Sequence, residues 1–120
     1  VTAALSISGL PTDKFTYLGF LPRKPSKQVT ILKSIKQSHL NQTIVIYESP
    51  NRFKNTLISI QNVWGDIEVT LIRELTKVHE SVKHMYISQW LENDLPKGEC
   101  IILFHLKQTN KPLLLPSYSK

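Results

Sequence analysis

The residues best able to do chemistry in this 120-residue chain lie in one short segment, RELTKVHE. The groups that can carry charge are five of the eight: Arg73, Glu74, Lys77, His79 and Glu80. The segment directly follows DIEVTLI, an apolar run that is typical of a strand. Ligands in open α/β sheets bind beyond the carboxyl ends of strands, so this position suits the rim of an active site. An exposed ion-pair network would have the same composition, and the charges alone leave both interpretations open.

Two further polar clusters border predicted strands. In YESPNR, Tyr47 and Glu48 end the apolar run TIVIYE, while Ser49 and Pro50 favour the start of a helix. In KGE, residues 97–99 precede the last apolar run. A well-formed strand-to-helix turn would explain YESPNR without any function. The recurrence of polar clusters beside strands favours a shared cleft instead.

A basic segment lies between the first two predicted strands. Its cations are Arg23, Lys24, Lys27, Lys33 and Lys36, which fall within 14 residues that contain no acid. The loop LPRKPSK is kept extended by two prolines, and an extended basic loop suits a phosphate backbone. The net charge of +6 also favours a polyanionic partner. No aromatic-rich RNA-stacking motif accompanies the loop, and a solvated helix face remains the alternative.

Several classes of protein are disfavoured. No run of about 18 apolar residues is present, so we expect no transmembrane helix. The N-terminus lacks the basic start of a signal peptide. The single cysteine, Cys100, lies in an apolar run and reads as a reduced core residue, which fits a cytoplasmic protein. The histidines have no helical pair spacing, so we expect no metal site.

The patterns predict the element order helix, β, α, β, α, β, β, α, β. The expected strands are KFTYLGFL, TIVIYE, DIEVTLIREL, ESVKHMYI and GECIILFHL. Val29, Leu32 and Ile35 mark one amphipathic helix, and a stripe from Phe53 to Trp64 marks another, which Gly65 should end. Because two strands are consecutive within a βα alternation, the fold class is α/β with a mixed β-sheet and helices packed on it.

Four segments, in this order and with these gaps, resemble the family of bacterial ribosomal RNA small-subunit methyltransferase I. They are SGLPTDKFTYLGFLPRK, YESPNR, RELTKVHE and KGE. This family belongs to the tetrapyrrole (corrin/porphyrin) methylase superfamily. The resemblance covers residues 1 to about 106 and implies the C-terminal domain of a two-domain enzyme. Residues 107–120 contain two prolines and no periodicity, which predicts a tail or linker.

The resemblance implies transfer of a methyl group from S-adenosylmethionine to the 2′-hydroxyl of a cytidine in 16S ribosomal RNA. The cofactor would lie between this domain and an N-terminal domain that the sequence lacks. The predicted first helix opens on Val1 without an N-cap, which also indicates a piece of a longer protein. Members of the superfamily pair into homodimers, so a dimer is expected. Residues 1–120 alone are expected to be inactive.

The family's functional positions map onto the strand ends. The implied cofactor-binding residues are Tyr47, Glu48, Arg73, Glu74, Leu75, Gly98, Glu99 and Cys100. Glu74 is the first candidate for organising or deprotonating the hydroxyl, and Glu48 is the second. Arg23, Lys24 and Lys27 would hold RNA phosphates.

Two other functions stay open. Relatives that modify tetrapyrroles usually have a YMG-like and an RGTTP-like end where this chain has YES and RELTK, which favours the RNA branch. A non-catalytic RNA-binding module is the third hypothesis. One departure from the family pattern is HMY, residues 84–86, which replaces an Arg-Gly-Thr turn before the short helix and leaves that corner without its usual cap.

Overall fold

A computed structural model describes residues 8–11, 13–38, 40–74, 80–93 and 100–107, with only the backbone of Glu74, Glu80 and Ser81. The elements are β1 (Phe15–Phe20), α1 (Pro25–Gln37), β2 (Gln42–Glu48), a 3-10 turn (Pro50–Arg52), α2 (Phe53–Trp64), β3 (Glu68–Glu74), β4 (Glu80–Tyr86), α3 (Ile87–Leu91) and β5 (Cys100–Leu106). The predicted first helix, apart from its last residue Ser8, and the tail from residue 108 lie outside the described residues. No helix among the described ranges is long and apolar enough to cross a membrane.

The five strands form one mixed sheet in the order β1-β2-β5-β3-β4. β1 and β2 are parallel, while β5 lies between β2 and β3 and is antiparallel to both. β3 and β4 form the antiparallel pair that the sequence predicted. The α/β fold class with a mixed sheet is therefore confirmed. As a consequence, β1, β2 and β3 all end at the same edge of the sheet, where β4 and β5 begin.

The main core lies between the helices and one face of the sheet. Its fully buried side chains include Leu32 of α1, Leu57 and Ile60 of α2, and Ile46 and Ile102 of the sheet. Burying a side chain of this size contributes about 1.5–3 kcal/mol. The opposite face has a smaller cluster, Val45, Ile72 and Leu103, against which Leu10 packs. The helices thus cover one face, which we call the helix face; the other is called the open face.

The helices are tied to the sheet and to each other by side-chain hydrogen bonds. The Lys36 Nζ of α1 donates to the Val63 carbonyl at 2.9 Å, close to the point where Gly65 ends α2 with a φ of 85°. The buried Trp90 of α3 donates from Nε1 to the Val69 carbonyl at 2.9 Å. These bonds fix the helix layer against the strands that carry the polar ends.

Helix α3 follows residues 84–86, where the chain departs from the family pattern, and its N-terminus is capped by a residue from another segment. The Asp66 carboxylate accepts hydrogen bonds from the backbone N–H and the hydroxyl of Ser88, both at 2.8 Å. The Tyr86 N–H donates to Gln89 Oε1 at 3.1 Å. A carboxylate at a helix N-terminus satisfies free N–H groups and complements the helix dipole. Asp66 therefore supplies the capping that the sequence pattern had placed in doubt.

Strand β1 contains a bulge that changes which face its last residue occupies. The register against β2 shifts between Tyr17 and Gly19, and Gly19 has a φ of 65°. A positive φ is readily adopted by glycine and costs other residues about 1 kcal/mol or more. A bulge re-aims the side chain that follows it. Phe20 therefore lies on the same face as Tyr17, although simple alternation would separate residues three apart.

Candidate active site at the carboxyl ends of the strands

Two of the polar clusters identified in the sequence, YESPNR and RELTKVHE, begin at one edge of the sheet, while KGE lies outside the described residues. Glu48, the last residue of β2, pairs with Cys100, the first residue of β5, and Cys100 also pairs with Arg73 of β3. Adjacent strands are about 4.8 Å apart, so the backbones of Glu48 and Arg73 are separated by about 10 Å. We call Glu48, Cys100 and Arg73 the strand-end row. Three segments distant in sequence therefore form one continuous border.

Glu48 is buried, with 1% of its surface exposed, and its carboxylate is fully engaged. Oε2 accepts a hydrogen bond from the Thr56 hydroxyl at 2.5 Å, and Oε1 accepts one from the Ser49 N–H at 3.0 Å. Arg52 Nε forms an ion pair with Oε1 at 3.2 Å. Burying a charge without such partners is very costly. The contacts explain how a carboxylate is tolerated here, and they join the end of β2 to the start of α2.

The other members of the row differ in exposure. Cys100 is buried and its thiol donates to the Glu48 carbonyl at 3.6 Å, as expected for a reduced core cysteine. Arg73 is half-buried. Tyr47 precedes Glu48 and, by strand alternation, lies on the open face, where its ring contacts Tyr17 and Phe20. The edge thus presents the half-buried Arg73 and, on the open face, the aromatic ring of Tyr47.

Some predicted site residues cannot be located. Leu75, Gly98 and Glu99 lie outside the described residues, as do Lys77 and His79 of the opening segment. Glu74 is the last residue of β3 and pairs with Glu80 of β4. Its backbone therefore lies one residue beyond the strand-end row, at the same edge of the sheet.

The basic loop is held in place by a buried glutamine. Arg23, Lys24 and Lys27 are exposed, while Gln28 is 2% exposed. Gln28 Nε2 donates to the Pro22 carbonyl at 2.7 Å, and Gln28 Oε1 accepts from the Ser59 hydroxyl at 2.7 Å. The loop is therefore attached through α1 to α2. Sequence reasoning missed Gln28, although it is four residues before the buried Leu32 and so shares its helix face.

We predict that Gln28→Leu loosens this loop. The substitution leaves the Pro22 carbonyl and the Ser59 hydroxyl without their partner, and each unsatisfied buried polar group costs about 1–3 kcal/mol. We expect a lower melting temperature and faster trypsin cleavage after Arg23 in the full-length protein. Gln37→Leu, at an exposed position of the same helix, is the control. Equal melting and cleavage for the two variants would contradict the anchoring role of Gln28.

The architecture is that of an α/β domain with polar residues gathered where the strands end. No family model matches the chain. It is 37% identical over 111 residues to ribosomal RNA small subunit methyltransferase I of Thermotoga maritima, covering 90% of this chain and 49% of the relative. For the proteins of the same name from Vibrio cholerae and Rickettsia prowazekii the identity is 39% and 31%, with 88% and 96% of this chain covered.

Over most of its residues the chain is similar to part of ribosomal RNA small subunit methyltransferase I. This similarity confirms the family resemblance read from the four motifs. The chain spans about half or less of the length of these curated relatives, at 49%, 38% and 42%.

Proposed function

We propose that these residues form the C-terminal half of an S-adenosylmethionine-dependent methyltransferase that modifies the ribose 2′-hydroxyl of a cytidine in 16S ribosomal RNA. The observation that carries the proposal is the strand-end row, because it brings the starts of two motifs shared with the family, YESPNR and RELTKVHE, to one edge of the sheet. Residues 1–106 would form the domain and residues 107–120 a tail or linker. An N-terminal domain of the same protein would supply the other wall of the cleft, in a cytoplasmic homodimer.

The strand ends fit one wall of a cofactor site. The half-buried ring of Tyr47 lies beside the last ladder pair and would form part of this wall. Arg73 adds a cation that suits a carboxylate such as that of the methionine part. Leu75, Gly98 and Glu99 would line the same wall, with Cys100 behind them. Bound there, S-adenosylmethionine would supply a methyl group already activated by its sulfonium charge.

The residues of this chain would position the hydroxyl and accept its proton. A ribose hydroxyl is a poor nucleophile at neutral pH, and correct placement alone can lower the barrier by about 7–11 kcal/mol. A general base contributes a further 10²–10⁴-fold, on the order seen in other enzymes. Glu74 is our candidate base. The carboxylate of Glu48 is committed to Thr56, Ser49 and Arg52, which favours a supporting role for that residue.

Methyl transfer to the ribose can be tested directly. The full-length protein would be incubated with labelled S-adenosylmethionine and small ribosomal subunits from cells that lack the enzyme. Label at a site that resists alkaline cleavage is the expected result, because cleavage requires a free 2′-hydroxyl. Label in alkali-sensitive RNA would mean methylation of a base. If no label enters RNA, RNA is not the substrate, and a tetrapyrrole becomes the favoured substrate class.

The basic loop would contact the phosphates of this RNA. Arg23 and Lys24 precede α1 and Lys27 lies in its first turn, which contains no acid. A cationic loop beside a helix N-terminus is suited to phosphate, since the helix dipole also favours an anion. These three residues are exposed and therefore need no rearrangement to reach a nucleic acid backbone.

We predict that replacing Arg23, Lys24 and Lys27 by alanine weakens RNA binding and lowers its salt dependence. Loss of three phosphate contacts should reduce the slope of log K against log salt by about 2 for single-stranded RNA. Titration of a labelled RNA at several salt concentrations measures it. The matched control is alanine at Lys54, Lys83 and Lys107, which removes the same charge elsewhere. An equal loss of slope in both triple variants would indicate a general charge effect.

A further inference from the structure

Three aromatic side chains form an uncovered patch on the open face of the sheet. Tyr17 and Phe20 of β1 are 47% and 51% exposed, and both contact the half-buried ring of Tyr47 in β2. The ring centroids are 5.4 Å apart for Tyr17 and Tyr47 and 5.8 Å apart for Phe20 and Tyr47, with nearly perpendicular planes. We call these three residues the aromatic patch. Phe15, 45% exposed, extends it along β1.

The patch is a product of the fold and of the glycine bulge. Phe20 pairs with Tyr47, and Tyr17 pairs with Val45 of the open-face cluster. Without the bulge at Gly19, Phe20 would point to the helix face. The bulge at Gly19, which has a positive φ, thus brings the ring of Phe20 to the surface of the open face. Exposed aromatic clusters of this kind mark binding surfaces, because leaving them in water is unfavourable.

The charge of the segment that carries most of the patch favours one class of partner. The 34 residues from Lys14 to Tyr47 contain six cations and no Asp or Glu; the cations are Lys14, Arg23, Lys24, Lys27, Lys33 and Lys36. The next acid in the chain, Glu48, is buried and paired with Arg52. Only Leu21 and Pro22 separate Phe20 from Arg23 and Lys24. Aromatic rings and two cations, Arg23 and Lys24, therefore adjoin in a segment, residues 14–47, that contains no acid.

This combination favours RNA over another protein. Single-stranded nucleic acid is bound by aromatic rings on which bases stack, next to cations that follow the phosphates. A second copy of the chain would bring the same cations together in a two-fold interface, since such an interface pairs one surface with itself. The cores of protein interfaces are also depleted of charged residues. An RNA strand offers bases that stack on the rings and phosphates that pair with the cations.

We infer that the aromatic patch stacks unpaired bases of the RNA substrate while Arg23 and Lys24 hold the adjoining phosphates. The inference rests on the proposed function, because it names the part of this domain that receives the RNA. It assigns Tyr17 and Phe20 a role in binding for which the sequence offered no motif. The bases at the patch lie beside the end of β1, at the same edge as the strand-end row, so the patch would orient the strand that enters the cleft.

The test uses the full-length protein with Tyr17→Leu and Phe20→Leu combined, which keeps apolar volume and removes the rings. The probes are an unstructured RNA of about 12 nucleotides, within the length that such surfaces bind, and the same backbone without bases. We expect the affinity for RNA to fall by about tenfold or more, since each base stacked on a ring contributes at least that order. Affinity for the abasic backbone and the salt slope should stay unchanged. Ile58→Ala, an exposed apolar position on α2, is the control.

Three results would overturn the inference. RNA affinity equal to that of the control variant would exclude stacking. An equal loss with the abasic backbone would mean that the rings act only through the loop. A change from dimer to monomer in light scattering, with RNA affinity preserved, would assign the patch to an interface between copies. Methyl transfer is measured separately. If the rings stack bases but no methyl group is transferred, the inference holds and the proposed function is wrong. If methyl groups are transferred but the rings do not stack bases, the proposed function holds and the inference is wrong.

Discussion

Replacing Glu74 by glutamine in the full-length protein should lower kcat for methyl transfer by about 10²–10⁴-fold, the contribution expected of a general base. The substitution keeps size and hydrogen bonding but cannot accept the proton of the ribose hydroxyl. The Kd for RNA should be unchanged, because phosphate contacts are assigned to Arg23, Lys24 and Lys27. A loss confined to kcat is the pattern of an interaction made in the transition state. Single-turnover transfer of labelled methyl to small ribosomal subunits measures it.

The control for Glu74→Gln is Glu68→Gln. Glu68 is the first residue of the same strand, is exposed, and lies at the opposite edge of the sheet. The two variants change the same charge on the same element and differ only in distance from the strand ends. Equal and normal turnover in both would remove Glu74 as the base. An equal loss in both would trace the effect to β3 as a structural element.

The strands and helices could be predicted from local patterns, whereas their spatial order could not. Periodicity and punctuation by Gly65 predicted α2, and the consecutive apolar runs predicted the pairing of β3 with β4. The insertion of β5 between β2 and β3 depends on contacts between distant segments. No local signal records it. That insertion is what makes Cys100 the neighbour of both Glu48 and Arg73.

The same limit explains why the aromatic patch was missed. Tyr17 and Tyr47 are 30 residues apart in the sequence, and only the pairing of β1 with β2 brings their rings together. Phe20 joins them because of the bulge, which breaks the alternation on which sequence patterns depend. A search for a contiguous stacking motif could not find residues that the sheet assembles.

The burial of Glu48 also had no local signal. An acid at the end of an apolar strand, followed by Ser49 and Pro50, is expected at the surface, since Glu is almost never fully buried without a partner. Its partners are Arg52, the last residue of the YESPNR cluster, and Thr56 of α2, which no pattern singled out. The structure therefore sets Glu48, the second candidate for the base, apart as a carboxylate whose oxygens already have partners in this chain.

This separation gives the second prediction, that Glu48 contributes more to stability than to the chemical step. Glu48→Ala leaves the Thr56 hydroxyl, the Ser49 N–H and the Arg52 guanidinium without their acceptor. Breaking a buried pair in this way costs about 3–5 kcal/mol, and the partial exposure of Arg52, 29%, reduces that to about 2–4 kcal/mol because water can solvate its charge. Thermal unfolding of the full-length protein should reveal a clearly lower midpoint.

Glu48→Gln distinguishes the two roles. Glutamine retains an oxygen that can accept from Thr56 but loses the ion pair with Arg52, so we expect a smaller loss of about 1–2 kcal/mol. Below the melting transition kcat should stay within a few-fold of the original enzyme, in contrast to Glu74→Gln. If Glu48 were the base, the outcome would reverse: kcat would fall by about 10²–10⁴-fold while the midpoint changed little. The pair of measurements on Glu48→Gln and Glu74→Gln thus decides which carboxylate of the strand ends handles the proton, because each variant is the internal control of the other.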